Sequence, residues 1–172
     1  AAQALNHDIC KRLNVHYNLG RKRNNQSPKE SIEQSKATCT GLAIILVDAC
    51  RAVGVPARIV GVPRWLQKEG NHTWVEIWDG DWFFTGADEY DKTGLNHAWF
   101  NSDAALTARS TNSLNQLYAS SWRRTGDWFP LAWDLDSFVV PAVNVSSRYA
   151  LLETNAATAG TVLALTPWGS VP

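Results

Sequence analysis

The chain has 172 residues, of which 45% are hydrophobic and 19% are charged, so it can bury a core and is not a disordered segment. Its 16 basic and 16 acidic residues cancel, which removes the positive field that nucleic-acid binding requires, and we predict no nucleic-acid partner. The longest aliphatic run, Leu42 to Val47, is far shorter than the roughly 20 residues that cross a bilayer, so no membrane span is predicted.

The start of the sequence, its glycosylation sequons and its cysteines give further information about the class of protein. It begins at Ala1 and contains no methionine, and we expect it to be cut from a longer chain that carries other domains. Three Asn-x-Ser/Thr sequons, at Asn25, Asn71 and Asn144, favour a secreted or extracytoplasmic location if they are used. Three cysteines without a CxxC pair indicate neither a disulfide framework nor zinc, and we predict no metal site.

Two helices are predicted in the first third of the chain. Apolar residues at three- and four-residue steps predict a helix over residues 1–19, ended by Gly20. The basic, polar stretch over residues 21–29 predicts an exposed loop. Residues 39–53 are apolar on nearly all sides and are followed by Gly54 and then a proline, which predicts a buried central helix.

Strand signals follow this helix. β-branched residues over 55–62 predict a strand, and residues 72–78 and 81–85 on either side of Asp79-Gly80 predict a β-hairpin. Beyond residue 100 the signals are weaker, with a short helix predicted over residues 102–109. Three further strand segments are predicted to start at Leu114, Val140 and Gly160.

A cysteine and a histidine in this frame carry the candidate chemistry. Cys39 stands where the central helix begins, and the dipole and unpaired N–H groups of a helix start lower the pKa of a thiol. His72, at the start of the hairpin, is the candidate base. A three-residue hairpin loop sets Asp88 opposite His72, whereas a two-residue loop leaves Glu89 as its diagonal neighbour, so either carboxylate is a candidate acid.

The segments CTGLAIILVDACRAVGVPARIVGVP and NHTWVEIWDGDWFFTGADE resemble the transglutaminase-like core of papain-type cysteine enzymes, over residues 31–100. The resemblance implies an α+β fold in which a catalytic helix packs on an antiparallel β-sheet. We therefore expect a catalytic core over residues 1–100 that includes the N-terminal helix. We also expect a β-rich extension over residues 101–172, which either completes the core or follows it.

The same resemblance implies a catalytic triad in which Cys39 is the nucleophile, His72 is the base and Asp88 is the orienting acid. We expect the oxyanion to be held by the backbone N–H of Cys39 and by the side chain of Gln34, the nearest upstream donor. Trp65 and Trp74 are predicted to form apolar walls of the substrate site.

These residues predict a cysteine-dependent acyl-transfer enzyme that acts on amide bonds of a peptide or protein substrate through a thioester, without a cofactor. Hydrolysis, as in a protease or amidase, is the predicted outcome, and the alternative is transfer to an amine in protein cross-linking. A rival interpretation is a catalytically inactive module whose tryptophans bind a peptide or a glycan. A second rival is a structural domain of a larger cell-surface protein. The fold alone does not decide among them, because one fold hosts many functions.

Overall fold

The structure is a computed structural model and describes residues 1–152. Along these residues the chain forms five α-helices and eight strands. The helices are α1 (Ala2–Leu13), α2 (Pro28–Gln34), α3 (Cys39–Ala52), α4 (Asn101–Thr107) and α5 (Ser146–Tyr149). The strands are β1 (His16–Tyr17), β2 (Lys36–Ala37), β3 (Ala57–Val62), β4 (His72–Trp78), β5 (Trp82–Thr85), β6 (Tyr118–Ser120), β7 (Asp127–Trp128) and β8 (Pro141–Asn144).

Six strands form one antiparallel sheet in the order β5-β4-β3-β6-β8-β7, and β1 and β2 form a separate parallel pair. Side chains of β4 alternate between two cores, as the pleat of a strand requires. Val75 and Ile77 pack with the apolar faces of α1 and α3. Trp74 packs on the other face, where Phe100 and Tyr149 are also buried. The predicted α+β fold, with a helix packed on an antiparallel sheet, is confirmed.

The central helix α3 has nearly the predicted bounds. It begins at Cys39 after Thr38, whose backbone is extended, and it ends at Ala52, one residue before the predicted end. Gly54 beyond it has a φ of 80°, a left-handed conformation that glycine adopts readily and other residues rarely do. Near the end of the helix, Arg51 Nε donates to the backbone oxygen of Ala57 at 2.9 Å. This hydrogen bond fixes the end of α3 against β3.

The hairpin β4–β5 has the three-residue loop that the sequence allowed. Trp78 pairs with Trp82, and the ladder continues to Val75 opposite Thr85. Gly80 in the loop has a φ of 79°. The ladder ends at Thr85, so residues 86–89 leave the sheet in another direction. This early end of β5 decides which carboxylate reaches the site described below.

Two features of the first 40 residues differ from the prediction. Helix α1 ends at Leu13 and not near Gly20, because Asn14 takes a left-handed φ of 51° and its N–H bonds back to the last turn. Helix α2 begins inside the predicted loop, where Ser27 caps it and Glu30 bonds back to the Ser27 backbone in a capping box. The basic stretch thus contains a helix start signal that its polarity concealed.

Residues beyond 100 extend the same sheet, because β6 pairs with β3 of the first half and β8 pairs with β6. Helix α4 lies at the predicted short helix. The segment from Val140 forms β8 but then turns into α5 at Ser146. The predicted strand from Gly160 lies outside the described residues. Within residues 1–152 no helix combines the length and apolar character needed to cross a membrane.

Candidate active site

The start of α3 and the start of β4 bring a thiol and an imidazole together. The Cys39 thiol and the His72 ring lie close enough for each to shift the pKa of the other. A bond of 2.9 Å between the hydroxyls of Thr40 and Thr73 links the first turn of α3 to β4 beside this pair. The backbone groups of Thr40 and Thr73 lower the pKa of the thiol. The pair is therefore flanked by Thr40 and Thr73, one on each of the two regular elements.

The surroundings of the pair shift both pKa values toward the charged forms. Burial raises the pKa of the Cys39 thiol, but the His72 ring and the two backbone N–H groups outweigh it and hold the pKa below the ordinary thiol value. Burial lowers the pKa of His72, but Cys39 and the Glu89 carboxylate raise it to about 9. A thiolate beside an imidazolium is therefore favoured, which is the reactive state of a nucleophilic cysteine.

Aromatic rings fix the orientation of the imidazole. The His72 side chain is buried, with ring centroids of Phe100 at 4.9 Å, Trp99 at 5.1 Å and Trp74 at 5.9 Å. Among residues 1–152, its Nε2 atom has no hydrogen-bond partner. The carboxylate of Glu89 faces this atom, with Oε1 at 3.6 Å from Nε2.

The expected contact between Asp88 and His72 is not formed in the described part of the chain, and Glu89 takes that position. The three-residue loop was right, but the extrapolation to Asp88 failed because β5 ends at Thr85. Asp88 has a left-handed φ of 62°, which turns the chain there. Burial raises the pKa of the Asp88 carboxyl, while the charges of His16 and Lys11 lower it, which places its carboxylate toward the N-terminal residues.

A buried asparagine holds the turn that carries Glu89. Asn6 of α1 is 1% exposed, and its amide donates to Gly86 O at 2.8 Å and to Thr85 Oγ1 at 3.0 Å. Its carbonyl oxygen accepts from the backbone N–H of Asp88 at 3.0 Å. These three bonds use most of the hydrogen-bonding capacity of the amide. Asn6 therefore fixes the chain on both sides of Ala87, just before Glu89.

The Glu89 carboxylate is also held from its other side. Trp99 Nε1 donates to Glu89 Oε2 at 2.9 Å, while Oε1 faces the imidazole. A Cβ atom at Gly86 would overlap the Glu89 carboxylate, so only glycine leaves room for it there. The Lys68 ammonium lies over the Trp99 ring, 4.7 Å from its centroid. The acid is thus positioned by an indole donor and by the absence of a side chain at Gly86.

Two of the predicted substrate-binding residues lie in the core instead. Trp65 is 3% exposed and Trp74 is fully buried, and their rings stack in parallel planes beneath His72. Trp74 Nε1 donates to Tyr149 Oη at 2.8 Å, so its polar edge faces the interior. Trp99, by contrast, is 59% exposed and borders His72. The aromatic surface that a substrate can reach beside the imidazole is therefore Trp99.

Gln34 is not free to act as the expected oxyanion donor. Its amide nitrogen donates to Gln26 Oε1 at 3.0 Å and to the backbone oxygen of Glu30 at 2.9 Å. Its oxygen accepts from the N–H of Lys22. Both amide hydrogens are used inside the α2 region, which corrects the sequence-based expectation. The backbone N–H of Cys39, in the first turn of α3, has no acceptor within the helix, as is general for helix starts.

Three residues of the site were not among the main predictions from the sequence. Glu89 was the alternative acid, and Trp99 was not singled out for substrate contact. Asn6 carries a recognisable signal, because it stands between Ala2 and Cys10 on the buried stripe of α1. A polar residue on such an apolar stripe needs a buried hydrogen-bond partner. In residues 1–152 no group of three or more His, Cys, Asp or Glu side chains could hold a metal ion.

Comparison with known proteins defines the class of this site. Residues 1–104 match the transglutaminase-like superfamily, and the chain belongs to it. The predicted family is confirmed, and the chain is a member of a family of cysteine enzymes. A solved structure of a candidate cysteine protease from Cytophaga hutchinsonii is 26% identical, with a TM-score of 0.43, and the match covers 55% of this chain but only 33% of that chain. No curated protein matches the sequence.

Proposed function

We propose that the protein is a cysteine hydrolase that cleaves amide bonds of peptide or protein substrates, with Cys39 as nucleophile, His72 as general base and acid, and Glu89 as orienting acid. The observation that carries the proposal is the Cys39 thiol at a helix start, next to a buried imidazole that Glu89 faces at 3.6 Å. Thiolate, imidazole and carboxylate in this order are the parts of a nucleophilic triad.

In the first step the Cys39 thiolate attacks the carbonyl carbon of the scissile amide. A carbon–sulfur bond forms, and negative charge moves to the carbonyl oxygen, which the free backbone N–H of Cys39 stabilises. The carbon–nitrogen bond then breaks as His72 gives its proton to the leaving nitrogen. The products of this step are a thioester on Cys39 and a free amine.

In the second step water resolves the thioester. His72, now neutral, takes a proton from water, and the hydroxide attacks the carbonyl carbon while the carbon–sulfur bond breaks. A carboxylic acid leaves, and the thiolate and imidazolium are restored. Trp99 borders the buried His72 and is 59% exposed, so the imidazole side of the site is open to solvent at this ring. Access of water beside the imidazole supports hydrolysis as the second step.

The triad is tested by alkylation with iodoacetamide across pH, with the labelled cysteine identified by mass spectrometry. Cys39 should label at pH values below the roughly 8.5 at which a free thiol titrates, because its surroundings lower the pKa. Cys10 and Cys50 are internal controls, because both are buried and burial raises their pKa values, that of Cys10 to about 12. In His72→Ala the Cys39 profile should move toward that of a free thiol. Faster labelling of Cys10 or Cys50 in the folded protein would refute the assignment.

The outcome of the second step is tested with p-nitrophenyl acetate, whose acetyl group is transferred to the thiol as p-nitrophenolate leaves. Under the proposal, catalytic turnover releases acetate, and added glycinamide does not divert the acetyl group. Cys39→Ala gives the background rate of the folded protein. Formation of acetylglycinamide as the main product would show that an amine resolves the thioester, and hydrolysis would be the wrong assignment.

A further inference from the structure

A cavity of about 400 Å³ lies beside the first turn of α3. It is bounded by that turn, by the loop at residues 21–26, and by the segment 129–140 that precedes β8. Its volume falls in the range of about 300–1,000 Å³ typical of ligand sites. Most of its wall is apolar, from the side chains of Ile44, Ile59, Phe129, Leu131, Trp133 and Val140.

The cavity lies next to the sequence neighbours of Cys39. Thr38 and Thr40 both line it, whereas Cys39 itself does not. The described residues that line it do not include His72, Glu89 or Trp99, which form the imidazole side of the site. The cavity is therefore separate from the imidazole side of the site.

The chemistry of the first step assigns the two flanks to the two halves of a substrate. His72 must protonate the leaving nitrogen, so the leaving group lies on the imidazole side. The acyl group, which stays on the sulfur, then extends to the opposite flank. Resting on the proposed function, the geometry points to this cavity as the site for the acyl group, and to a bulky apolar acyl group as its ligand.

The charges around the cavity agree with an apolar ligand. Arg21 and Asp134 are the charged residues of the lining, and their opposite charges cancel. The terminal nitrogens of Arg21 donate to Asn24 Oδ1 at 2.9 Å and to the backbone oxygen of Leu19 at 3.4 Å, while its Nε atom has no hydrogen-bond partner within residues 1–152. An anionic acyl group would lose its hydration to a largely apolar wall without net charge, which is unfavourable. A phenyl or branched aliphatic group would instead gain from burial against the same wall.

The test compares acylation of Cys39 by three p-nitrophenyl esters, namely 3-phenylpropionate, acetate and the anionic monoester adipate. Release of p-nitrophenolate in a single turnover, corrected for release without enzyme, gives the acylation rate of each. The phenylpropionyl ester should acylate the wild-type enzyme about tenfold or more faster than acetate, the scale of discrimination expected of an apolar pocket, and adipate should be slowest. Trp133→Ala should remove most of the phenylpropionyl preference. Trp122→Ala is the matched control, since Trp122 is exposed and does not line this cavity.

Iodoacetamide labelling of the same three proteins separates this proposal from the one on which it rests. Equal rates for all three esters, with Cys39 still labelling at low pH, would overturn the cavity assignment and leave the hydrolase proposal standing. A preference that persists in Trp133→Ala or is lost equally in Trp122→Ala would also overturn it. If Cys39 reacts no faster than a free thiol with esters and iodoacetamide alike, both proposals are wrong. Circular dichroism of each variant establishes that it is folded.

Discussion

Strand β4 carries two buried polar clusters that differ in how completely their hydrogen bonds are made. At Glu76 both carboxylate oxygens accept hydrogen bonds: Arg58 Nε donates to one at 2.7 Å, and Tyr149 donates to the other at 3.0 Å. Arg148 Nε lies 3.9 Å from the same carboxylate and has no hydrogen-bond partner within residues 1–152. At His72 the Nε2 atom has no hydrogen-bond partner within residues 1–152, and Glu89 stays at 3.6 Å. We expect the first cluster to hold the fold, and under the proposed function the second keeps a proton free to move.

This difference separates stability from reactivity on a single strand. A saturated buried ion pair is costly to break, because removal of one partner leaves an unpaired charge in the interior. An incompletely bonded imidazole costs some stability but can change protonation state during a reaction. Substitutions in the Glu76 cluster should therefore change unfolding, and substitutions in the His72 cluster should change turnover.

The largest expected effect distinguishes the two neighbouring acids. Glu89→Gln should reduce hydrolysis of p-nitrophenyl acetate by up to about 10⁴-fold, because the imidazole loses the carboxylate that orients it and stabilises its charged form. Asp88→Asn should leave turnover near the wild-type rate, because the Asp88 side chain faces the N-terminal residues. Steady-state rates of the two variants, corrected with Cys39→Ala, measure this contrast.

A substitution at Gly86 tests the role of the same Glu89 carboxylate through steric overlap. Gly86→Ala keeps Glu89 in the sequence, but the added methyl group would overlap its carboxylate and displace it from His72. We expect Gly86→Ala to lose turnover as Glu89→Gln does. If Gly86→Ala and Glu89→Gln are both as active as wild type, Cys39 and His72 act as a dyad.

The next prediction concerns the Glu76 cluster. Arg58→Met leaves the Glu76 carboxylate buried without its cation, and the free energy of unfolding in urea should fall by about 3–5 kcal/mol. The double variant Arg58→Met with Glu76→Gln removes the charge as well, so it should recover part of this loss. The rate of Cys39 alkylation in the folded proteins should stay at the wild-type value. A slower alkylation in these folded variants would show that the two clusters are not separate.

The third prediction is a pH dependence of stability. His72 has a pKa of about 9 in the folded protein against an ordinary value of 6.5, since the thiolate and the Glu89 carboxylate outweigh the effect of burial. Because the folded-state value is the higher one, the stability it contributes is complete below about pH 6.5 and is lost as the pH rises through about 9. The difference in unfolding free energy between wild type and His72→Ala, measured from pH 6 to 10, should therefore shrink across this window. A constant difference would contradict the charged pair.

The smallest expected effect belongs to the asparagine that holds the acid-bearing turn. Asn6→Ala should lower turnover by about tenfold, because Glu89 is then held less closely against the imidazole. It should also lower the pKa of His72 toward its ordinary value, which a variant that only weakens packing would not do. Titration of the His72 ring by NMR measures that shift in folded protein. Unchanged titration with reduced stability would show a purely structural role for Asn6.

The parts of this structure that the sequence predicts are those set by local periodicity and turn chemistry. The apolar run and the glycine after it defined α3 almost to the residue. Asp79-Gly80 located the hairpin but left two registers open, and the structure has the one with the three-residue loop. Local sequence patterns do not decide whether Asp88 or Glu89 faces His72, because this depends on where β5 leaves the sheet. That departure is fixed by Asn6, a contact between residues about 80 positions apart in sequence.

The tryptophans were misjudged for a related reason. The alternating pattern along β4 indicated that one face of the strand packs on a core. It did not indicate which face of the strand, and therefore whether Trp74, is exposed to solvent. The face of Trp74 is covered by Tyr149, which arrives from the far end of the described chain. Burial by a distant element leaves no trace in the local pattern. The same holds for Gln34, whose partners in the α2 region follow from a capping box hidden in a basic stretch.

The Tyr149 hydroxyl also sets an order of events during synthesis. It accepts from Trp74 and donates to Glu76, at sequence separations of 75 and 73 residues. Until residue 149 leaves the ribosome, the Glu76 carboxylate and the Trp74 indole N–H lack this common partner in the interior, and the ring that covers Trp74 is absent. The strand that carries His72 is therefore completed late, so the nascent chain contains Cys39 long before the interior behind the imidazole is finished.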